Sequence, residues 1–241
     1  MIQSPNYIHF RIQWQLVYPG TAETLFQGKK FRDLMDKINE DYPLDFSFKD
    51  FSDRAPVRCE MANTRRLSDG REAFSKFIYN NNSIAYIEEW AEISPDEFEQ
   101  KCNKLLRVWF NLFPQTAIVA QNTCVRALVQ PNKFKNSLDF LGDKILNVKQ
   151  SIHNTFENMP FKIGFTFACP KKQPDCPIPI IIDTSINSWT DNKSVWIQVS
   201  SNSPLLPPVN AANIERGTVP VVDSKNFLED EVLKLLNEYD K

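Results

Sequence analysis

Ile8-His9-Phe10-Arg11-Ile12-Gln13-Trp14-Gln15-Leu16-Val17-Tyr18 is the stretch from which the rest of the chain can be read. Ile8, Phe10, Ile12, Trp14, Leu16 and Tyr18 are apolar at every second position, and a strand throws successive side chains to opposite faces. One face of this strand must therefore be buried. The other carries His9, Arg11, Gln13 and Gln15, and is polar. Pro19-Gly20 ends the strand in a turn. Downstream, Phe31, Leu34, Met35 and Ile38 fall at helical spacing, and the helix is expected to stop at Tyr42-Pro43 because a residue before proline is driven out of α geometry.

Working outward, Phe46 and Phe48, then Val57, Cys59 and Met61, predict two more strands. Phe77–Tyr79 and Ile84–Trp90 predict a hairpin around Asn80-Asn81-Asn82. Ser94-Pro95-Asp96-Glu97 is the clearest helix start in the chain: Ser94 is suited to the N-cap, Pro95 to the first helical position, and Glu97 completes a capping box. Phe98, Cys102, Leu105, Trp109 and Leu112 are its apolar stripe.

The same order then returns. Ala117–Val129 reads as a strand whose alternation changes phase near Gln121, as a β-bulge would make it. Leu138, Leu141, Ile145, Val148, Ile152 and Phe156 read as one long helix stopping at Met159-Pro160. Phe161, Ile163, Phe165 and Phe167 start the next strand, followed by strands at Ile178–Asp183 and Val195–Val199. Residues 201–221 read as a Pro- and Asn-rich connection, and a final helix from about Ser224 carries Leu228, Val232, Leu235 and Tyr239 inward. The expected class is α+β: two related β-α-β(n)-α half-units, 1–114 and 115–241, packed as one body with antiparallel sheets and helices on one side. This element order resembles the duplicated saddle of the TATA-binding protein. The resemblance lies in element order alone, and no residue is carried over from it.

Composition bounds the chemistry. Hydrophobic residues at 42% and aromatics at 12% supply a core, and only 6 glycines leave little material for Gly-rich phosphate loops. A net charge of −2, with neither half basic, argues against attachment to nucleic acid by bulk charge. No apolar run approaches the ~20 residues of a membrane helix, and Met1-Ile2-Gln3-Ser4-Pro5 lacks the features of a secretory signal. Cys59, Cys102, Cys124, Cys169 and Cys176 are odd in number and mostly dispersed, which points to reduced thiols in a cytoplasmic protein. Cys169 and Cys176 read as two thiols flanking a hairpin loop, with a conditional disulfide or a metal pair as the alternatives.

No nucleophile elbow, Walker loop, zinc-protease helix or dinucleotide fingerprint is present, so no cofactor and no metal are expected. The resulting expectation is a cytoplasmic interaction protein that binds a protein partner or itself, a dimer included. The alternative is a nucleic-acid-binding module using the polar sheet face, with His9, Arg11, Gln13 and Arg126 as contacts and Lys29-Lys30, Arg65-Arg66, Lys133, Lys135 and Lys171-Lys172 as a basic rim. The third reading is an enzyme with a carboxylate pair between the halves, drawn from Glu60, Glu88, Glu89 and Asp183. His153 is expected to be a surface or packed histidine.

Overall fold

The computed structural model describes the chain apart from residues 1, 42, 43, 53, 55, 81, 91, 158, 159, 174 and 175, and apart from the side chains at 23, 24, 41, 173, 176 and 177. The helix stops expected at Tyr42-Pro43 and Met159-Pro160, and the Asn81 turn, fall on positions outside this description.

The alternating stretch forms β1 (Asn6–Val17). Phe10, Ile12, Trp14 and Leu16 are buried on one face, each at 2% exposure or less. Helix α1 (Ala22–Leu25) and α2 (Gly28–Asp41) follow, then β2 (Ser47–Ser52), β3 (Arg58–Arg66), β4 (Glu72–Asn80), β5 (Ser83–Glu89) and α3 (Pro95–Leu112). The second half runs β6 (Ala117–Val129), α4 (Ser137–Asp139), α5 (Lys149–Phe156), β7 (Gly164–Gln173), β8 (Cys176–Ser188), β9 (Val195–Val209), α6 (Val219–Asn226) and α7 (Leu233–Tyr239).

The nine strands make one antiparallel sheet in the order β2-β3-β4-β5-β1-β6-β9-β8-β7. The molecule is therefore α+β. Each half begins at the middle of the sheet, with β1 beside β6. Each then jumps to an outer edge and returns inward strand by strand.

Helices cover one face. Trp14 donates its indole N–H to the Gly217 carbonyl at 2.8 Å, in the turn before α6. Thr123 on β6 exchanges hydroxyl hydrogen bonds with Ser201 (2.7 Å) and with Ser224 of α6 (2.9 Å). Those buried hydroxyls satisfy one another, which spares the cost of burying a lone polar group. In the first half an aromatic cluster fills the space under α2 and α3. Trp109 and Phe113 ring centres are 4.4 Å apart, and Phe26 and Tyr79 are 4.5 Å apart. The capping box forms as read: the Ser94 amide donates to Glu97 Oε2 at 2.7 Å and the Glu97 amide donates to Ser94 Oγ at 3.2 Å.

Several expectations need correction. The bulge expected near Gln121 on β6 is present, two residues away at Val119, where the partners of β1 step from Ala120 to Ile118. The single helix over 138–156 is broken: α4 runs into a π-helical turn (Phe140–Ile145), and α5 restarts at Lys149 with no buried residue. Phe156 is 67% exposed and is no part of the core. Strand β7 starts at Gly164, so Phe161 and Ile163 precede it. The Pro-rich stretch Ser203–Val209 is not a free connection, since it is the end of β9. The last helical segment begins at Val219, and a π-helical turn (Phe227–Val232) moves the inward phase so that Leu228, Val232 and Leu236 are buried instead of Leu235 and Tyr239.

Candidate binding face of the sheet

Directly paired residues of neighbouring strands point to the same side of a sheet. The register therefore lays out the uncovered face in rows. One row reads Phe74, Glu89, His9, Arg126, Gln198, Ser185, Thr166 from β4 to β7. The next reads Lys76, Ile87, Arg11, Cys124, Ser200, Asp183, Ala168, and the third Ile78, Ala85, Gln13, Asn122, Asn202, Ile181, Pro170. The helix-side residues alternate with these, which is why Thr123 and Val125 face α6 while Asn122, Cys124 and Arg126 do not.

All four residues singled out from the sequence lie on this face, on the two central strands. His9 is paired with Arg126, and Arg11 and Gln13 follow along β1. They do not act alone. The His9 Nδ1 is in a very short contact with Glu89 Oε2. Arg11 donates through Nη2 to Gln13 Oε1, while its buried Nε has no partner among the described residues. Arg126 Nε donates to Gln198 Oε1 at 2.8 Å, and its guanidinium lies 5.9 Å from the Trp196 ring centre. Asn122 donates to Asn202 Oδ1 at 2.7 Å. A groove lined by Gln13, Gln15, Asn122, Asn202 and Pro204 continues the strip along β1 and β6.

The sequence reading takes Cys124 only as a dispersed reduced thiol and Glu89 only as one candidate for a carboxylate pair, and places neither beside His9. Cys124 sits between Arg11 and Ser200 and is 7% exposed. Burial works against its thiolate, but hydrogen bonds to His9 and Ser200 and the charges of His9 and Arg126 outweigh it and hold the thiol below its ordinary range. His9 moves the opposite way. Burial works against its charged form, and hydrogen bonding to Cys124 and Glu89 reverses that and raises it. Cys124 lies two residues from Arg126 on the same strand, so period two alone would have placed it here. Glu89 needs the β1–β5 register.

Further out on this face two cations are already paired. Lys76 pairs with Glu60 at 2.8 Å and Arg58 with Asp50 at 2.7 Å. Two residues of the expected basic rim lie away from this face, while Arg66, paired with Glu72, shares the face of Phe74. Lys171 belongs to the helix side, where it pairs with Asp223 at 3.0 Å, and Lys30 lies over the Phe113 ring. The carboxylates offered as an acid–base pair are kept apart: Glu88 is buried on the helix side, while Glu60, Glu89 and Asp183 sit on β3, β5 and β8. His153 is exposed on α5. Register pairs Cys169 with Ile182 and Cys176 with Gln173, so the two cysteines are not opposite each other, and Cys169 is a free thiol. Among the described residues no cluster of three metal-ligating side chains occurs, and no helix is long and apolar enough to cross a membrane. No protein-family model and no curated protein matches this chain.

Proposed function

We propose that this is a non-enzymatic binding protein of the cytoplasm that docks a protein partner across the open sheet face, centred on Arg11, Gln13, Asn122, Arg126 and Asn202. One observation carries the reading: α2, α3 and α6 pack on one side of a nine-stranded sheet, and the middle of the other side is a strip of half-buried to exposed amide and guanidinium groups. These groups are held by one another, so they are oriented before a partner arrives, which lowers the entropy cost of docking. The carboxylates interspersed with the cations favour a partner of mixed charge, such as another folded protein or a second copy of the chain, over a polyanion.

The test is capture from native lysate with wild type and with an Arg11→Glu/Arg126→Glu variant shown to be folded by circular dichroism. The expected result is a partner retained after nuclease by wild type and lost by the variant. Equal recovery by both, or a monodisperse monomer that retains nothing, contradicts the reading.

A second reading, nucleic-acid binding, is favoured by Arg11, Gln13 and Arg126 lying in one strip, since such side chains suit phosphate and base edges. It predicts single-stranded or duplex oligonucleotide binding whose salt slope flattens in Arg11→Ala/Arg126→Ala. An unchanged slope removes it.

We also infer that the halves 1–114 and 115–241 are related by duplication. The central position of β1 and β6 and the edge-to-centre path of the strands after each support this. Superposing the halves in chain order tests it: failure to bring α3 onto α6 while β1 lies on β6 would contradict it.

A further inference from the structure

Cys124 is placed differently from the other described cysteines. Cys59 and Cys102 point into the core, where burial first of all pushes their thiols up, that of Cys59 to about 12. Cys124 faces the uncovered side of the sheet. One strand away, His9 is its diagonal neighbour on the same face, and the Glu89 carboxylate holds the His9 Nδ1. The carboxylate thus leaves the other ring nitrogen for the sulfur. Thiol, imidazole and carboxylate in that order are the arrangement that makes a thiolate available at neutral pH. Ser200 is directly opposite Cys124 on β9 and presents its hydroxyl on the same face.

The charges around the sulfur also select what can approach it. Arg11 is its direct cross-strand neighbour on β1, and Arg126 is two residues along β6. Lys76 is three strands away in the same row and is already paired with Glu60, and the acidic groups on this face include Glu89, taken up by His9, Asp183, beyond Ser200 on β8, and, further out, Glu60 and Asp50, paired with Lys76 and Arg58. α2, α3 and α6 pack on the opposite side of the sheet and contribute none here. Among the described residues the buried Nε of Arg11, the strand partner of Cys124, has no acceptor.

We propose that Cys124 is a nucleophilic thiol, activated by His9 and positioned through Glu89, that forms mixed disulfides with small disulfides bearing carboxylates. The Cys124 sulfur attacks one sulfur of the disulfide. The S–S bond breaks, the departing sulfur leaves with the electron pair as a thiolate, and the His9 imidazolium supplies its proton. The products are the Cys124 mixed disulfide, neutral His9 and one free thiol, so the disulfide itself is the oxidant and no other is required. Arg11 and Arg126 bind the carboxylates. With only 7% of Cys124 exposed, the long half-buried side chains of Arg11 and Gln13 must move aside, which limits the reaction to small partners. This inference does not depend on the docking partner proposed above.

The experiment treats the native full-length protein with dithiobis(nitrobenzoate), which carries a carboxylate on each half, and with neutral dithiodipyridine, across pH. Peptide mass spectrometry assigns the modified cysteine. The expected result is modification of Cys124 ahead of Cys59 and Cys102, with a rate midpoint below the ordinary thiol range. His9→Asn should move that midpoint up and slow the reaction at neutral pH by about threefold or more. Glu89→Gln should act in the same direction, and Arg11→Gln should reduce the preference for the anionic reagent. If His9→Asn does not fold, the wild-type pH profile decides by itself. A Cys124 that reacts only after denaturation, or with the midpoint of an ordinary thiol, overturns the proposal.

Discussion

Glu88 is a carboxylate with a fully buried side chain on the helix side of β5, and it survives there because every approach to it is a donor. Lys101 Nζ lies 2.7 Å from Oε1, Ser75 Oγ donates to Oε2 at 2.6 Å, and the Tyr86 hydroxyl also reaches Oε1. Burial first, then the Glu88 charge and hydrogen bond, push the Tyr86 phenol well above its ordinary value, so it stays a donor. Removing one partner of such a pair leaves an uncompensated buried charge. Lys101→Met is therefore expected to cost about 3 kcal/mol in urea denaturation, and a Glu88→Gln/Lys101→Met pair is expected to cost less than the sum of the singles. At this scale the sequence showed which residues share a face along one strand: His9, Arg11 and Gln13 follow from period two within β1. It could not show that Glu89 faces His9 or that Cys124 faces Arg11, because those contacts depend on register between strands that are far apart in the chain.

The elements were legible where a local rule acts without competition. The Ser94 box is one case, and Ser94→Ala is expected to lower stability by about 1 kcal/mol, read from the denaturation midpoint at constant slope. The β8–β9 turn obeys an equally local rule, although the sequence reading names only the strands on either side of it. Asp191 accepts from the Lys193 and Ser194 amides at 2.8 and 2.7 Å and from the Ser194 hydroxyl at 2.6 Å. Partial burial opposes its ionised form, yet these hydrogen bonds prevail and lower it below the usual carboxylate value. A depressed folded value stabilises above the unfolded one and is lost as pH falls through the folded one. Asp191→Asn is thus expected to cost about 1 kcal/mol at neutral pH, with the gap to wild type closing below about pH 4.

Elements were misread where tertiary context decides. Pro204, Pro207 and Pro208 suggest a loose connection, but β6 pairs with Pro204 and then with Val209, so residues 205–208 need no ladder partner on that side. The β8 pairing ends at Asn202, which frees the other side as well. The start of β7 at Gly164 has a steric reason: a Cβ there would lie 2.2 Å from Asn187 Oδ1 and 2.4 Å from the Ile186 carbonyl. Gly164→Ala is expected to shift the outer strands and to destabilise by about 1–3 kcal/mol.

At the scale of the molecule, the decisive fact is the asymmetry of the sheet. Helices from both halves cover one side, and β1 and β6 meet at the centre of the other. That the fold is α+β with the helices on one side could be argued from the order of strands and helices. That nine strands form one sheet, and that Arg126 would lie beside His9, could not, since no local pattern specifies which strands of two halves become neighbours. The account stands on the open face being where a partner binds. Its most direct measurement is the stoichiometry of captured protein from native lysate, after nuclease, on wild type against folded Arg11→Glu/Arg126→Glu. The account predicts a fixed ratio of partner to wild type and its loss from the variant. Equal capture by both would contradict it.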